Sequence, residues 1–271
     1  MSFTVRRSPG VPILICAPMH YMRPVYLLVV MILRTVDRIL ATSDIHGQNT
    51  RFLNLLKKTE YDPTADLLVV CGDMVDRGPE NMDTLRTCQE LVSKGAVILR
   101  GNHEQFLTEV LQIMLADPNW SQSPVVDVWA RCNGGGTCFE EIKNLPEEKL
   151  REILEFIMSI PNYFTVGDYI FTHAGVNKNK PIEKNSEDDL VWADNIFPLI
   201  PAYKGKTVIF GHTPTWILYP HFSNRNNKQY RKSAKIWYDP INNDKIGIDT
   251  GGVFGGRLAM LELPSGREFY V

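Results

Sequence analysis

Six residues of the types that bind metal ions stand shortly after apolar runs of the sequence. They comprise two carboxylates, one carboxamide and three imidazoles: Asp44, His46, Asp73, Asn102, His173 and His212. Hard oxygen and borderline nitrogen donors in this mixture suit Mn²⁺, Fe or Zn²⁺. Six donors are too many for one tetrahedral zinc ion, and two metal ions that share a bridging carboxylate fit the number better. Because no cysteine stands among them, the pattern disfavours a structural zinc cluster.

Each of these residues, taken singly, also has a purely structural explanation. An aspartate after a strand commonly caps a turn or a helix, and Asn102 before a predicted helix is a natural N-cap. A single histidine after a strand is more often a core residue than a ligand. The same arrangement nevertheless recurs five times, each time in a loop that contains glycine. We therefore favour one shared site over five unrelated structural roles.

The elements that must position these residues alternate between strands and helices, as in βαβ units. Strands are predicted at 38–43, 67–71, 96–99, 169–172, 207–210, 246–248, 257–263 and 268–271. Helices are predicted at 49–61, 80–94, 105–115 and 145–160. The carboxyl ends of parallel strands lie at the same edge of a sheet, where α/β proteins keep their binding sites. The pattern thus predicts that the loops after the strands converge.

Two further segments are harder to interpret from the sequence. The run Asn133-Gly134-Gly135-Gly136 permits close backbone approach, but it lacks the lysine spacing of a phosphate-binding loop. Residues 221–238 carry five basic side chains, which we interpret as a solvated loop or hairpin.

The bulk composition describes an ordinary globular protein of 271 residues with a formal charge of -2. This charge disfavours a general nucleic-acid-binding protein, which would usually be basic. Five cysteines without paired spacing indicate reduced thiols in a cytoplasmic protein. We predict one catalytic domain over 37–271, and the sequence leaves the oligomeric state open.

Residues 1–36 differ from the rest of the chain. They contain four arginines but no acidic residue and no lysine, and we predict a poorly ordered N-terminal extension. Its apolar run at 25–33 has nine residues, whereas about 20 are needed to span a bilayer. We therefore expect no stable insertion into a membrane.

The chain resembles the calcineurin-like metallophosphoesterases in five ordered motifs: Ser43 to Gly47, Gly72 to Gly78, Gly101 to Glu104, His173 to Gly175 and Gly211 to Thr213. The second and third motifs are similar to those of the phosphoprotein phosphatase branch. That branch contains the serine/threonine protein phosphatases and the bacterial diadenosine tetraphosphate hydrolases. Residues 248–258 also resemble a segment of its bacterial members. The resemblance covers about 38–271 and implies an α/β fold, a two-sheet β-sandwich flanked by helices with its site at the strand carboxyl ends.

The resemblance also implies a role for each metal-binding residue. Asp44, His46 and Asp73 would bind the first metal ion, and Asp73 would bridge to the second. Asn102, His173 and His212 would complete the second site. Two divalent ions, with Mn²⁺ favoured and Fe or Zn²⁺ as alternatives, could clamp a phosphate and lower the pKa of a shared water. The resulting metal-bridging hydroxide would attack phosphorus in line.

Three more residues carry the rest of the implied chemistry. Arg77, Asn102 and His103 would bind the substrate, and Arg77 would grip the phosphate oxygens with its planar guanidinium. His103 would protonate the leaving oxygen, and Asp76 would orient His103 and favour its protonated form.

The favoured function is a phosphatase that acts on phosphoserine and phosphothreonine in proteins. The alternatives are a symmetrical diadenosine tetraphosphate hydrolase, which Asp76 modestly disfavours, and a catalytically silent phosphate-binding protein. Pro214 stands where nuclease relatives place a metal-binding histidine, which disfavours a nuclease. The first motif begins with Ser43 instead of the usual glycine, a change that leaves the metal-binding residues of the motif intact. A second phosphate-binding arginine is missing after Trp192, and the residues that could replace it are Arg225, Arg231 and Arg257.

Overall fold

The computed structural model describes residues 11–13, 34–192, 196–218 and 228–271. Its strands are β1 (Val11–Ile13), β2 (Arg34–Val36), β3 (Arg38–Thr42), β4 (Asp66–Cys71), β5 (Val97–Leu99), β6 (Tyr163–Val166), β7 (Tyr169–Thr172), β8 (Thr207–Phe210), β9 (Trp237–Tyr238), β10 (Lys245–Gly247), β11 (Ala259–Leu263) and β12 (Glu268–Tyr270). Its helices are α1 (Asn49–Lys58), α2 (Asn81–Ser93), α3 (Asn102–Ala116), α4 (Pro124–Cys132), α5 (Gly136–Ile142), α6 (Glu147–Ser159), α7 (Glu187–Val191), α8 (Thr215–Leu218) and α9 (Lys228–Ser233).

Ten of these strands form two five-stranded sheets with the orders β12-β11-β3-β4-β5 and β6-β7-β8-β10-β9. Strands β3, β4 and β5 are parallel in the first sheet, and β7, β8 and β10 are parallel in the second. The remaining neighbours pair antiparallel. The two sheets face each other across a shared apolar layer, and helices cover the outer face of the first sheet. This confirms the predicted two-sheet sandwich flanked by helices.

Strand β4 illustrates why the sandwich forms. Leu67, Val69 and Cys71 belong to the apolar layer between the sheets. Leu68 and Val70 alternate with them and pack with the helices on the other face. A strand that is buried on both faces needs an uninterrupted apolar run, because successive side chains point in opposite directions. The run ends where the polar site begins.

The structure refines one predicted boundary that bears on the site. Helix α3 begins at Asn102 instead of Gln105, so that Asn102 and His103 lie in its first turn. The carboxylate of Glu104 accepts a hydrogen bond from the backbone N–H of Gly101 at 2.9 Å. A side chain in the first turn that satisfies an N-terminal backbone donor extends a helix towards its N-terminus.

The predicted extension over 1–36 lies mostly outside the described residues. Within them, β1 and β2 pair antiparallel as a separate two-stranded sheet. In the described parts of the chain, no helix is both long enough and apolar enough to cross a membrane.

Candidate active site

The loops that carry the predicted site residues have an unusual backbone conformation. Eight described residues other than glycine have a positive φ, and six of these belong to the predicted site: Asp44, His46, Asp73, Asp76, Arg77 and His212. Left-handed conformations cost on the order of 1–3 kcal/mol each, and they persist only where the surrounding structure enforces them. Buried hydrogen bonds enforce them here, since the N–H groups of Asp44 and His46 donate to the carbonyls of Gly72 and Asp73.

The first group of donor atoms lies around His46. Its Nε2 is 3.5 Å from Asp73 Oδ2 and 4.0 Å from Asp44 Oδ1. His46 Nδ1 donates to the carbonyl of Val75 at 2.8 Å, so the lone pair lies on Nε2, where it accepts a hydrogen bond from the Arg77 guanidinium. Burial lowers the pKa of His46 well below its usual value, and this outweighs the attraction of Asp73. The ring is thus neutral and oriented as a metal ligand must be.

The second group lies on the other side of Asp73. His173 Nε2 is 3.4 Å from Asp73 Oδ1, and both His173 Nε2 and His212 Nδ1 lie 2.9 Å from Asn102 Oδ1. His173 Nδ1 lies 2.9 Å from the carbonyl of Cys71, to which it can donate as His46 does to Val75. Burial, with the neighbouring His173, lowers the pKa of His212 to about 3. Both imidazoles therefore have nitrogen lone pairs available.

These two groups fit a pair of divalent metal ions. The donor atoms of Asp73, His173 and His212 all lie within 4.8 Å of one another, as do those of His46, Asp73 and His103. Asp73 belongs to both sets: its Oδ2 lies near His46, and its Oδ1 lies near His173. Burial, together with the charges of Asp249 and Asp73, raises the pKa of Asp44 well above its usual value. Bound cations would neutralise this concentration of buried negative charge.

Sequence reasoning did not assign Asp249 and Glu104 to the site. Asp249 follows β10 and is buried, and its pKa is raised to about 7 by burial and by Asp73. It could have been found by the rule used for the other residues, because it is a carboxylate directly after an apolar run. Glu104 is fully buried and accepts hydrogen bonds from the loop that carries Asp73. Its position in the third motif gave no sign of this contact.

His103 and Asp76 form a buried pair beside the two groups. His103 Nδ1 donates to Asp76 Oδ2 at 2.7 Å, and His103 Nε2 faces Asp73 Oδ2 at 3.9 Å. Burial by itself would lower the pKa of His103, but the carboxylates of Asp73 and Asp76 outweigh it and raise the pKa. The protonated ring is therefore favoured, as a proton donor requires.

An open cleft of about 500 Å³ gives access to this arrangement. Polar site residues and three aromatic rings line it: Arg77, Asn102, His103, His212, Phe106, Trp192 and Phe254. The guanidinium of Arg77 donates to His46 Nε2 and lies over the Phe254 ring, 5.0 Å from its centroid.

The structure does not bring a second described arginine into the cleft. Arg257 donates to the carbonyl of Ala234 and stacks 4.0 Å from the centroid of the Tyr270 ring. Arg231 lies over the ring of Trp216. Neither arginine lines the cleft, and Arg225 lies outside the described residues.

Comparison with known proteins gives a consistent family match. The calcineurin-like phosphoesterase family matches residues 37–239. Serine/threonine-protein phosphatase 1 of Salmonella typhimurium is 33% identical in an alignment of 228 residues that covers 81% of this chain and 89% of that protein.

Other relatives of this chain are named as tetraphosphatases. The asymmetrical bis(5'-nucleosyl)-tetraphosphatase PrpE of Bacillus velezensis is 28% identical over 82% of this chain and 87% of that protein. A symmetrical bis(5'-nucleosyl)-tetraphosphatase of Dechloromonas aromatica is 30% identical over 50% of this chain, and the match spans 43% of that enzyme. A solved structure described as a candidate diadenosine tetraphosphatase has a TM-score of 0.60 at 19% identity, over 86% of this chain and 92% of that one.

Proposed function

The chain belongs to the calcineurin-like phosphoesterase family, and we propose that it hydrolyses phosphomonoesters, with phosphoserine and phosphothreonine in proteins as its favoured substrates. The observation that carries this proposal is the position of Asp73 between two groups of imidazole and oxygen donors. The His103–Asp76 pair and Arg77 lie beside these groups, and His103 and Arg77 line the cleft. Residues that could serve as metal ligands, as a proton donor and as a phosphate-binding cation thus lie next to one another.

Two divalent metal ions would be held by the residues that the motifs indicate. Asp44, His46 and Asp73 would hold the first ion. Asn102, His173 and His212 would hold the second, with Asp73 shared. When bound, the ions would supply positive charge to the phosphate oxygens and acidify a water molecule. The mixture of oxygen and imidazole donors favours Mn²⁺, with Fe or Zn²⁺ as alternatives.

Side chains of the protein bind the phosphate and transfer the proton. Arg77 binds two phosphate oxygens through its planar guanidinium and neutralises charge that develops on them. As the bond between phosphorus and the leaving oxygen breaks, the proton on His103 Nε2 passes to that oxygen. The phosphoryl group takes its fourth oxygen from the attacking water and leaves as inorganic phosphate, and the other products are a serine or threonine hydroxyl and a neutral imidazole. Asp76 holds Nδ1–H throughout and so keeps Nε2 directed at the cleft.

Two observations favour a phosphomonoester over a dinucleoside polyphosphate. Among the described residues that line the cleft, Arg77 is the only cationic side chain apart from the histidines. A tetraphosphate chain carries more negative charge than a phosphomonoester and would be expected to need more cations. The Salmonella relative that is named a serine/threonine-protein phosphatase is also 33% identical to this chain, whereas the tetraphosphatase PrpE, which covers a similar share of both chains, is 28% identical. Because other relatives are named tetraphosphatases, hydrolysis of a nucleotide is the alternative function.

A comparison of two substrates tests the proposal. A phosphoserine peptide and diadenosine tetraphosphate are assayed side by side with Mn²⁺, and an Asp73→Asn variant controls for contaminating phosphatases. We expect the larger kcat/KM on the peptide. A preference of about a hundredfold for the dinucleotide, equivalent to about 2.7 kcal/mol in transition-state stabilisation, would overturn the substrate assignment. Failure to hydrolyse p-nitrophenyl phosphate with any divalent metal would favour a silent phosphate-binding protein.

We also propose that the enzyme acts in the cytoplasm. The described cysteines Cys71, Cys88, Cys132 and Cys138 are all free thiols, as expected in a reducing compartment.

A further inference from the structure

A tryptophan outside the five motifs contacts the His103–Asp76 pair. The indole Nε1–H of Trp129, on α4, donates to Asp76 Oδ2 at 2.9 Å. The same oxygen accepts the 2.7 Å bond from His103 Nδ1. Asp76 is 0% exposed and Trp129 is 1% exposed, so water does not compete for either bond. Asp76 Oδ1 is buried without a hydrogen-bond partner.

The glycine run between α4 and α5 seats this tryptophan and also holds Arg77. A Cβ atom at Gly135 would lie 2.2 Å from the Trp129 ring, so only glycine allows the backbone to approach the indole this closely. The neighbouring carbonyl of Gly134 accepts the backbone N–H of Arg77 at 2.8 Å. The run therefore supports two residues, Trp129 and Arg77, that bear on the proposed reaction.

We propose that Trp129 is a positioning residue for the proton transfer from His103, an inference that rests on the proposed function. Two donors on Oδ2 fix the rotation of the Asp76 carboxylate and hence the plane of the His103 ring. Without the indole N–H, the carboxylate can turn its unpartnered Oδ1 towards the ring. His103 Nε2 then loses its direction towards the leaving oxygen. Trp129 is buried and does not line the cleft, so its effect must act through Asp76.

The test is a comparison of two esters that differ in how much they need a proton donor. The leaving oxygen of p-nitrophenyl phosphate is weakly basic and departs without a proton, whereas that of phenyl phosphate is strongly basic. We expect Trp129→Phe to lower kcat on phenyl phosphate about tenfold and on p-nitrophenyl phosphate less than about threefold. Both effects are smaller than the roughly 10²–10⁴-fold for losing the acid outright. The ratio of the two rates, measured on one sample, does not depend on the fraction of folded enzyme.

Two further variants make the comparison specific. Trp120→Phe is the matched control, because Trp120 packs on the same Phe139 ring at a centroid distance of 6.1 Å, close to the 6.4 Å of Trp129. We expect its rate ratio to equal that of the wild type. Gly135→Ala displaces the indole without removing it, and we expect the ratio to change as in Trp129→Phe. This variant replaces Trp129→Phe if the latter does not fold.

The possible results separate this role from the proposed function. Equal losses on both esters, or an unchanged ratio in Trp129→Phe and Gly135→Ala, would overturn the positioning role while leaving the phosphatase intact. A wild-type enzyme that hydrolyses neither ester would overturn the proposed function, and the role of Trp129 with it.

Discussion

Replacement of Glu104 by glutamine should loosen the loop that carries the bridging Asp73. Glu104 Oε2 accepts the backbone N–H groups of Gly101 and Asp73 at 2.9 and 2.8 Å. Oε1 accepts those of Met74 and Val75 at 2.8 and 3.3 Å. One carboxylate therefore satisfies four backbone donors. An amide has only one oxygen, and its NH₂ group would face two N–H groups whichever way it is turned.

The size of the effect follows from these bonds. Two buried N–H groups lose their acceptor, and each unsatisfied group costs about 1–3 kcal/mol, so Glu104→Gln should destabilise the fold by about 2–6 kcal/mol. With a slope of about 3 kcal/mol per molar urea, the unfolding midpoint should fall by about 0.7–2 M. The loop that holds Asp73 should also bind metal more weakly.

Urea unfolding followed by circular dichroism measures the first effect, and chelator competition for Mn²⁺ measures the second. Glu109→Gln is the matched control, since Glu109 is exposed on the same helix. If the Glu104→Gln midpoint lies within error of the wild type and of this control, the carboxylate does not hold the loop and the reasoning is refuted.

Three other substitutions have distinct expected outcomes. His103→Asn should lower kcat by roughly 10²–10⁴-fold with metal still bound, and loss of metal by elemental analysis would contradict the role of His103 as the acid. The Nζ of Lys245 lies 2.6 Å from the buried Asp239 carboxylate. Lys245→Met removes this cationic partner and should lower the free energy of unfolding in urea by about 3–5 kcal/mol. Unchanged stability would argue against this ion pair. Burial raises the pKa of Glu262, but the hydrogen bonds from Arg267 outweigh this effect and hold the pKa below its usual value. The Glu262 carboxylate thus contributes stability above the unfolded pKa of about 4.3, and this is lost as the pH falls through the folded pKa. Glu262→Gln should therefore lower the urea midpoint at pH 7 and flatten its decline towards acid pH, and a decline as steep as in the wild type would count against the assignment.

The sequence by itself determined the alternation of buried strands with helices and the grouping of ligand-type residues after the strands, whereas the two-sheet sandwich was implied by the family resemblance. Uninterrupted apolar runs such as 67–71 require burial on both faces, and parallel strands necessarily share their carboxyl edge. The shared edge of β3 and β4 explains why Asp44 and Asp73 lie together, whereas His173 follows β7 in the other sheet and meets them only through the packing of the two sheets. The individual roles of these residues stay predictions. Residues 1–36, mostly outside the described parts of the chain, leave the predicted extension untested.

The tertiary structure decided the contacts that no local pattern encodes. Trp129 reaches Asp76 across 53 positions of the sequence, and Arg257 faces Tyr270 instead of the cleft. The left-handed backbone of Asp44 and its neighbours likewise depends on hydrogen bonds between loops, since aspartate has no intrinsic preference strong enough to impose it. Periodicity and spacing specify which face of an element is buried. Which side chain meets another across the core depends on how separate elements pack, and that follows only from the complete fold.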